Sequence, residues 1–314
     1  MPLAIMPGSF GRTIYQYRDT NMKINKTLKI IGLFMIVSLT WGTTWMAMKI
    51  AIQTVPPIFA TGLRFLCASP VLLLIVMLTK QPILFASGSR RFQFMICMCY
   101  FTIPFTLMFY GERYTSAGLA AIIFATMPVA VLLASIILVK ARISFKQTVG
   151  LLISMLSLIV ILLKETNPIV GNSFKGIFAL ILAVIMHAIM YVLFNKRDEH
   201  VSILTYNTLP CLGAGLLLTF IGSILEKPIY ANFSVSSLLS LVYLGMVSNV
   251  LGMVGYFYLQ RLAIPFQASL VFLIFPVIAI LLDHLFMGSS IGLKTLWLMI
   301  PLTVGILLTL KSAK

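Results

Sequence analysis

The sequence predicts an all-α integral membrane protein: ten transmembrane helices arranged as two inverted five-helix repeats. Three observations carry the prediction. Apolar stretches of about 20 residues, the length a helix rising about 1.5 Å per residue needs to cross about 30 Å of hydrocarbon, follow one another from Lys29 to Lys311. Of the 314 residues 60% are hydrophobic and 10% charged, too few polar side chains to cover a water-soluble fold of this length. Residues of the second half repeat those of the first at a nearly constant offset. The stretches are continuously apolar, without the in-out alternation of a lumen-lined barrel strand, so they read as helices.

The first 28 residues are polar and basic, contain Pro7 and Gly8, and lack an apolar core ahead of a cleavage site. They read as a mobile cytoplasmic tail. Span one, 29–50, carries Trp41 and Trp45 one turn apart, and span two, 57–79, holds Arg64. Span three, 92–112, contains Tyr100 and Pro104 and ends at Glu112, and span four, 115–138, presents Ala117, Ala121 and Ala125 on one face ahead of Pro128. Span five is 147–164. Span six, 174–195, places Ala179, Ala183, His187 and Tyr191 at steps of four, one stripe of a helix. Spans seven and eight are 202–225 and 237–260, the latter with Asn249 and Tyr256. Span nine, 262–286, contains Pro276 and Asp283, and span ten is 292–311. The joints at 112–115 and 260–262 are set by charge and proline placement. The chain thus divides into a tail 1–28, repeats 29–164 and 165–311, and a cytoplasmic C-terminus 312–314.

A formal charge of +16 invites a nucleic-acid reading, but position decides against it. With the N-terminus in the cytoplasm, 16 of the 23 Lys and Arg fall on the cytoplasmic side, among them Lys23, Arg90, Arg91, Lys140, Arg142 and Arg261. Six face the other side, and Arg64 lies inside a span. That excess is the positive-inside pattern with both termini cytoplasmic, and the basic surface faces anionic headgroups. The expected partners are therefore the lipid bilayer and a small-molecule metabolite, with no nucleic acid, for a monomer or a homodimer. Cys67, Cys97, Cys99 and Cys211 lie inside spans and have neither disulfide-framework nor metal-ligand spacing.

At an offset of 148, Pro128 falls on Pro276, Tyr110, Glu112 and Arg113 fall on Tyr258, Gln260 and Arg261, and Ala120 falls on Ala268; at 146, Trp41 falls on His187 and Trp45 on Tyr191. Each unit holds five spans, so the second must enter the membrane from the opposite side. Inverted repeats of this kind build both gates of a secondary transporter around a site near the midplane.

The run Thr40-Trp41-Gly42-Thr43-Thr44-Trp45, then Pro56-Pro57 and Phe59-Ala60-Thr61-Gly62-Leu63-Arg64-Phe65, resembles the first two spans of the EamA-like drug/metabolite transporter superfamily. Tyr114 to Ala121 with Met127-Pro128-Val129 is similar to its fourth span. Tyr243 to Ser248, Tyr256-Phe257-Tyr258 and Phe275-Pro276-Val277 are similar to its eighth and ninth. The resemblance covers about residues 31–311 and implies ten helices, two EamA-type repeats, and export or exchange of small metabolites. Where the family often carries a Glu about 12 residues after the proline of spans four and nine, this chain has Lys140 and Gly288, so no role of that Glu transfers.

A charge in the bilayer costs about 2.5 to 3.5 kcal/mol on insertion scales, which makes each intramembrane ionisable residue a functional candidate. Arg64 can clamp a substrate carboxylate or pair with Glu112 or Asp283 to hold helices together. Asp283 and Glu112 are candidates for proton coupling, with helix capping the alternative for Glu112. Trp41, Trp45, Tyr100, His187, Tyr191, Asn249 and Tyr256 supply an aromatic chamber with a few polar points, the usual composition of a small-molecule pocket. Pro128 and Pro276 are candidate hinges. No metal or other cofactor is expected. The preferred reading is a secondary transporter, an exporter or exchanger of an amino acid or amphipathic compound in the bacterial inner membrane, working by alternating access; no phosphate-binding loop is present for ATP hydrolysis. An intramembrane enzyme and a passive channel or scaffold are the alternatives.

Overall fold

The computed structural model describes residues 9–165, 173–196, 201–262, 268, 271–288 and 292–310. Among them ten helical rods follow one another: α1 (Ser9–Ala51), α2 (Pro57–Thr79), α3 (Ser87–Arg113), α4 (Ala117–Val139), α5 (Phe145–Glu165), α6 (Phe174–Lys196), α7 (Ile203–Leu225), α8 (Val235–Leu259), α9 (Val271–Met287) and α10 (Leu293–Leu310). The Thr27–Ala51 part of α1 and the whole of α2 to α8 are long and apolar enough to cross a membrane, eight helices in all, whereas α9 and α10 are shorter apolar helices. Large apolar side chains such as Met77, Leu78, Phe178, Phe220, Phe286 and Trp297 stand exposed, as lipid-facing positions do.

The first helix begins at Ser9, well ahead of its apolar part, so residues 9–28 of the expected tail are helical. The start of the expected ninth span falls mostly outside the described residues, as does the C-terminal segment 312–314.

Packing between the halves follows a regular scheme. Helix α2 lies along α7, α4 against α9, and α5 along α10, three pairs of corresponding helices. The remaining large contacts come in matched sets: α3 with α6 and α1 with α8, α1 with α9 and α4 with α6, α2 with α8 and α7 with α3. Helices α5 and α10 pack chiefly on each other and stand aside, leaving the other eight around the centre.

Backbone punctuation repeats in the same way. Among the described residues, positive φ occurs at Lys80 (52°), Lys140 (52°), Lys227 (46°) and Gly288 (63°). Lys80 and Lys227 follow the corresponding helices α2 and α7, and Lys140 and Gly288 follow α4 and α9. At the position where the related family often has Glu, this chain therefore has a left-handed helix stop, which glycine adopts without strain.

Two helices carry π-helical stretches at corresponding places, Cys97–Thr102 in α3 and Leu244–Met253 in α8. In α3 the cause is local: Pro104 has no N–H to donate back along the helix, the turn before it widens, and the Thr102 hydroxyl donates to the Cys97 carbonyl at 2.8 Å. Helix α4 is interrupted at Thr126, just ahead of Pro128, whereas Pro276 lies within a continuous helix.

The α2–α7 crossing is close because glycines line it. A Cβ at Gly62 would lie 2.5 Å from the Thr219 backbone nitrogen, and one at Gly222 would lie 2.7 Å from the Phe59 nitrogen. Small residues at a membrane helix interface give the dispersion contact that lipid otherwise supplies equally well. Glu226, just beyond α7, closes the same seam: its two carboxylate oxygens accept from the Ile58 and Phe59 N–H groups at 3.0 and 2.8 Å, at the start of α2. Gly222→Val should force the two backbones apart and cost about 1–3 kcal/mol, the usual scale of overpacking. A lower melting temperature in detergent checks this; unchanged melting would show that the seam tolerates a branched side chain.

Candidate functional site

Between the halves lies a cavity of about 90 Å3. Its wall draws on seven helices. Trp41, Thr44 and Trp45 come from α1, Arg64 from α2, and Tyr100, Phe105 and Met108 from α3. Phe124 and Met127 come from α4, His187 and Tyr191 from α6, Ser248, Asn249 and Met253 from α8, and Phe272 and Phe275 from α9.

Seven of the eight residues expected at a substrate site thus share one chamber. The eighth, Tyr256, stands behind the wall, buried, with its ring 4.8 Å from that of Trp41 and 5.7 Å from that of Phe272. Sequence reasoning overlooked Thr44, Ser248, Phe105, Phe124, Phe272 and Phe275. Periodicity held a signal for one of them, since Thr44 is one turn on from Thr40 and next to Trp45; the phenylalanines are indistinguishable in sequence from ordinary core residues.

Arg64 is the one ionised group of fixed charge in that wall. It is 3% exposed, and its surroundings are soft: Met48 Sδ lies 3.8 Å from Nη1 and the Phe105 ring centroid 4.8 Å from Cζ. Its Nε has no hydrogen-bond partner among the described residues. Gly245 sets its depth, because a Cβ there would come within 2.5 Å of the Arg64 carbonyl oxygen, and the missing side chain lets α8 lie on α2 at that level. From α7, Cys211 reaches the same level, its thiol donating to the Phe65 carbonyl at 3.8 Å.

Arg64 is hydrogen-bonded to neither carboxylate considered as its partner. Both Glu112 oxygens lack a hydrogen-bond partner among the described residues although Glu112 is fully buried. Lys49 donates to the Glu112 and Thr115 backbone carbonyls, each at 2.6 Å. Asp283 accepts from the Gly118 N–H at 3.0 Å, so it caps the start of α4, while Glu112 does not cap.

The neutral polar groups of the chamber fall into three sets. Thr44 and Ser248 hydroxyls meet at 2.6 Å and link α1 to α8 across the halves. Tyr100 and Tyr191 hydroxyls lie 3.3 Å apart, and the His187 ring stands edge-on 4.9 Å from Tyr100 and 5.2 Å from Phe105. Asn249 donates to the Cys211 sulfur at 3.6 Å, and its Oδ1 has no partner among the described residues. Trp45 packs 4.8 Å from Phe124 and lies stacked 6.4 Å from Phe275. Among the described residues no three His, Cys, Asp or Glu are grouped to hold a metal ion. A reaction would need a nucleophile beside a base, whereas this chamber offers one cation, a few neutral hydrogen-bonding groups and many ring faces, the equipment for holding a molecule.

The sequence profile of the EamA-like transporter family matches residues 28–163 and again 174–311. Protein PagO of Salmonella typhimurium is 52% identical over 91% of this chain and 94% of its own length. An uncharacterized transporter of Buchnera aphidicola is 48% identical over 90% and 94%. The uncharacterized inner membrane transporter YedA of Escherichia coli K12 is 25% identical over 91% and 90%. A protein crystal structure aligns with a TM-score of 0.65 at 17% identity over 88% of this chain and 94% of that one, a likeness of fold.

Removing the Asp283 carboxylate should leave the Gly118 N–H in the first turn of α4 without its acceptor, while the Ser116 hydroxyl still caps the Leu119 N–H. Asp283→Ala is expected to cost about 1–2 kcal/mol, in the range of lost N-caps, and to lower the melting temperature of the detergent-solubilised protein. Wild-type melting would mean that the hydrogen bond to Gly118 contributes nothing net.

Proposed function

The chain belongs to the EamA-like transporter family, and from that premise we propose that it is a secondary transporter that exports or exchanges a small organic metabolite across the bacterial inner membrane by alternating access. The observation that carries this reading is the chamber between the two halves, walled by seven helices and containing a buried arginine without a hydrogen-bonded carboxylate. A guest held there touches both halves, so its binding is tied to how the halves pack.

Matched helix contacts and matched left-handed stops support two equivalent units, and five spans in each support opposed orientations. The excess of Lys and Arg on one side supports cytoplasmic termini, and the printed name of the YedA relative supports the inner membrane. Rocking would open one face while closing the other around a fixed site. The substrate class that fits this reading is an amino acid or another amphipathic compound, held among the rings of the chamber. The seams at Glu226–α2 and Asp283–α4 join first-half to second-half helices and are the contacts such a motion would reshape.

A proton gradient is the proposed source of energy, and Glu112 the group that carries the proton. It is buried without a hydrogen bond to either oxygen among the described residues, and taking up a proton removes the charge that makes such burial costly. The charges acting on it are Lys49, Asp283 and Arg64. Asp283 is committed to the cap on α4.

Purified protein in liposomes should show saturable counterflow of a labelled metabolite; linear, unsaturable leak would favour a channel and sink the carrier. Glu112→Gln should retain counterflow, which needs no net proton movement, while making net flux equal at acid and alkaline external pH. A mutant with the wild-type pH profile would remove Glu112 from the coupling.

A further inference from the structure

The chamber wall is electrically unbalanced. Of the residues that line it, Arg64 carries a fixed positive charge and none is a carboxylate. The guanidinium is 3% exposed, its Nε is without a hydrogen-bond partner among the described residues, and its nearest companions are a thioether and a phenyl ring. Neither companion replaces the hydrogen bonds a guanidinium makes in water, and a planar fork of N–H donors matches a carboxylate in geometry as well as charge. One helical turn beyond Gly245, which packs on the Arg64 carbonyl, Asn249 Oδ1 is a buried acceptor, also without a partner among the described residues. The rest of the wall is largely aromatic, with Trp41 and Trp45 facing Phe272, Phe275 and Phe124.

From this we infer that the transported metabolite is an organic monoanion: its carboxylate is held by Arg64, its apolar body lies among the aromatic rings, and one neutral N–H or O–H donor is taken by Asn249. The inference rests on the transporter reading and names the substrate class of the same chamber. An ammonium group is disfavoured there, because it would enter beside a cation in a low-dielectric chamber whose wall offers no carboxylate. A dianion is disfavoured because one guanidinium cannot compensate two charges.

The wall gives the experiment its signal, since two of the three tryptophans line the chamber. Tryptophan fluorescence of the full-length protein in detergent is titrated with four probes that share a phenyl ring and differ at the end group: 3-phenylpropionate, 3-phenylpropanamide, phenethylamine and phenylalanine. 3-Phenylpropionate is expected to bind about tenfold or more tighter than its amide, the scale of a charge-assisted hydrogen bond. It should also bind more tightly than the amine or the zwitterion. Arg64→Gln should abolish the preference for carboxylate over amide, and Arg64→Lys should keep part of it, so a folded, charge-retaining variant separates recognition from misfolding. Equal binding of carboxylate and amide, tighter binding of the amine or zwitterion, no binding of the carboxylate, or an unchanged preference in Arg64→Gln each overturn the inference. Counterflow in liposomes is read in parallel. Carboxylate binding without counterflow would refute the transporter reading and leave the anion site standing, whereas counterflow without carboxylate preference would refute the anion site alone.

Discussion

An arginine inside a membrane protein must be solvated by something, and in this chain the fold supplies little. Insertion of such a charge costs about 2.5 to 3.5 kcal/mol even with the relief a bilayer offers, and a guanidinium buried against a sulfur and a phenyl ring recovers only a fraction of that. Helix α2 keeps its place all the same, because Gly62, Gly222 and Gly245 bring α7 and α8 into backbone contact with it and Glu226 holds its first turn. The close packing of α2 is therefore what allows Arg64 to be held at the chamber wall with an open coordination. Glu112 is close enough to act on Arg64 through space, yet neither it nor Asp283 is hydrogen-bonded to the guanidinium among the described residues.

Duplication and asymmetry meet at this residue. The matched helix contacts, the paired left-handed stops and the π stretches at corresponding places are likenesses of backbone between the two halves. Chemistry departs from that likeness at the centre: Trp41 answers to His187, Trp45 to Tyr191 and Tyr100 to Ser248, and Arg64 has no basic counterpart in α7. One half brings a cation and two indoles, the other an imidazole and neutral polar groups, so the two contributions to the wall differ. The π stretches add to this, since a widened turn turns Tyr100, Ser248 and Asn249 towards the centre at positions an ideal helix would space differently.

Much of this was legible in the sequence. Helix positions follow from the length of hydrocarbon a helix must cross, so the apolar runs placed α2, α6 and α7 within a residue or so of where they lie. Seven chamber residues were recognisable because a tryptophan, tyrosine, histidine, asparagine or arginine in mid-span stands out against leucine and valine. The phenylalanines gave no such signal: Phe272 and Phe275 are chamber residues, while Phe220 and Phe286 face outwards, and only the packing separates them. The π stretches escaped notice for a related reason, as a single added residue in a turn leaves the apolar pattern intact. The carboxylates were visible as rare charges, but whether each caps, pairs or stands alone depends on which helix ends lie opposite, which composition does not specify.

The three acidic residues near one end of the bundle show how this distinction works out. Glu226 and Asp283 each lie opposite the first turn of a helix from the other half, where free N–H groups and the positive end of the helix dipole favour a carboxylate. Glu112 has a helix end of no such kind before it, and Lys49, the nearest candidate partner, spends its hydrogen bonds on the Glu112 and Thr115 backbone carbonyls. Two of the carboxylates thus acquire hydrogen bonds as part of the scaffold, and the third has none among the described residues. That difference is why Glu112 is the one proposed to carry the proton: a change of charge there would leave the seams that hold the halves together untouched.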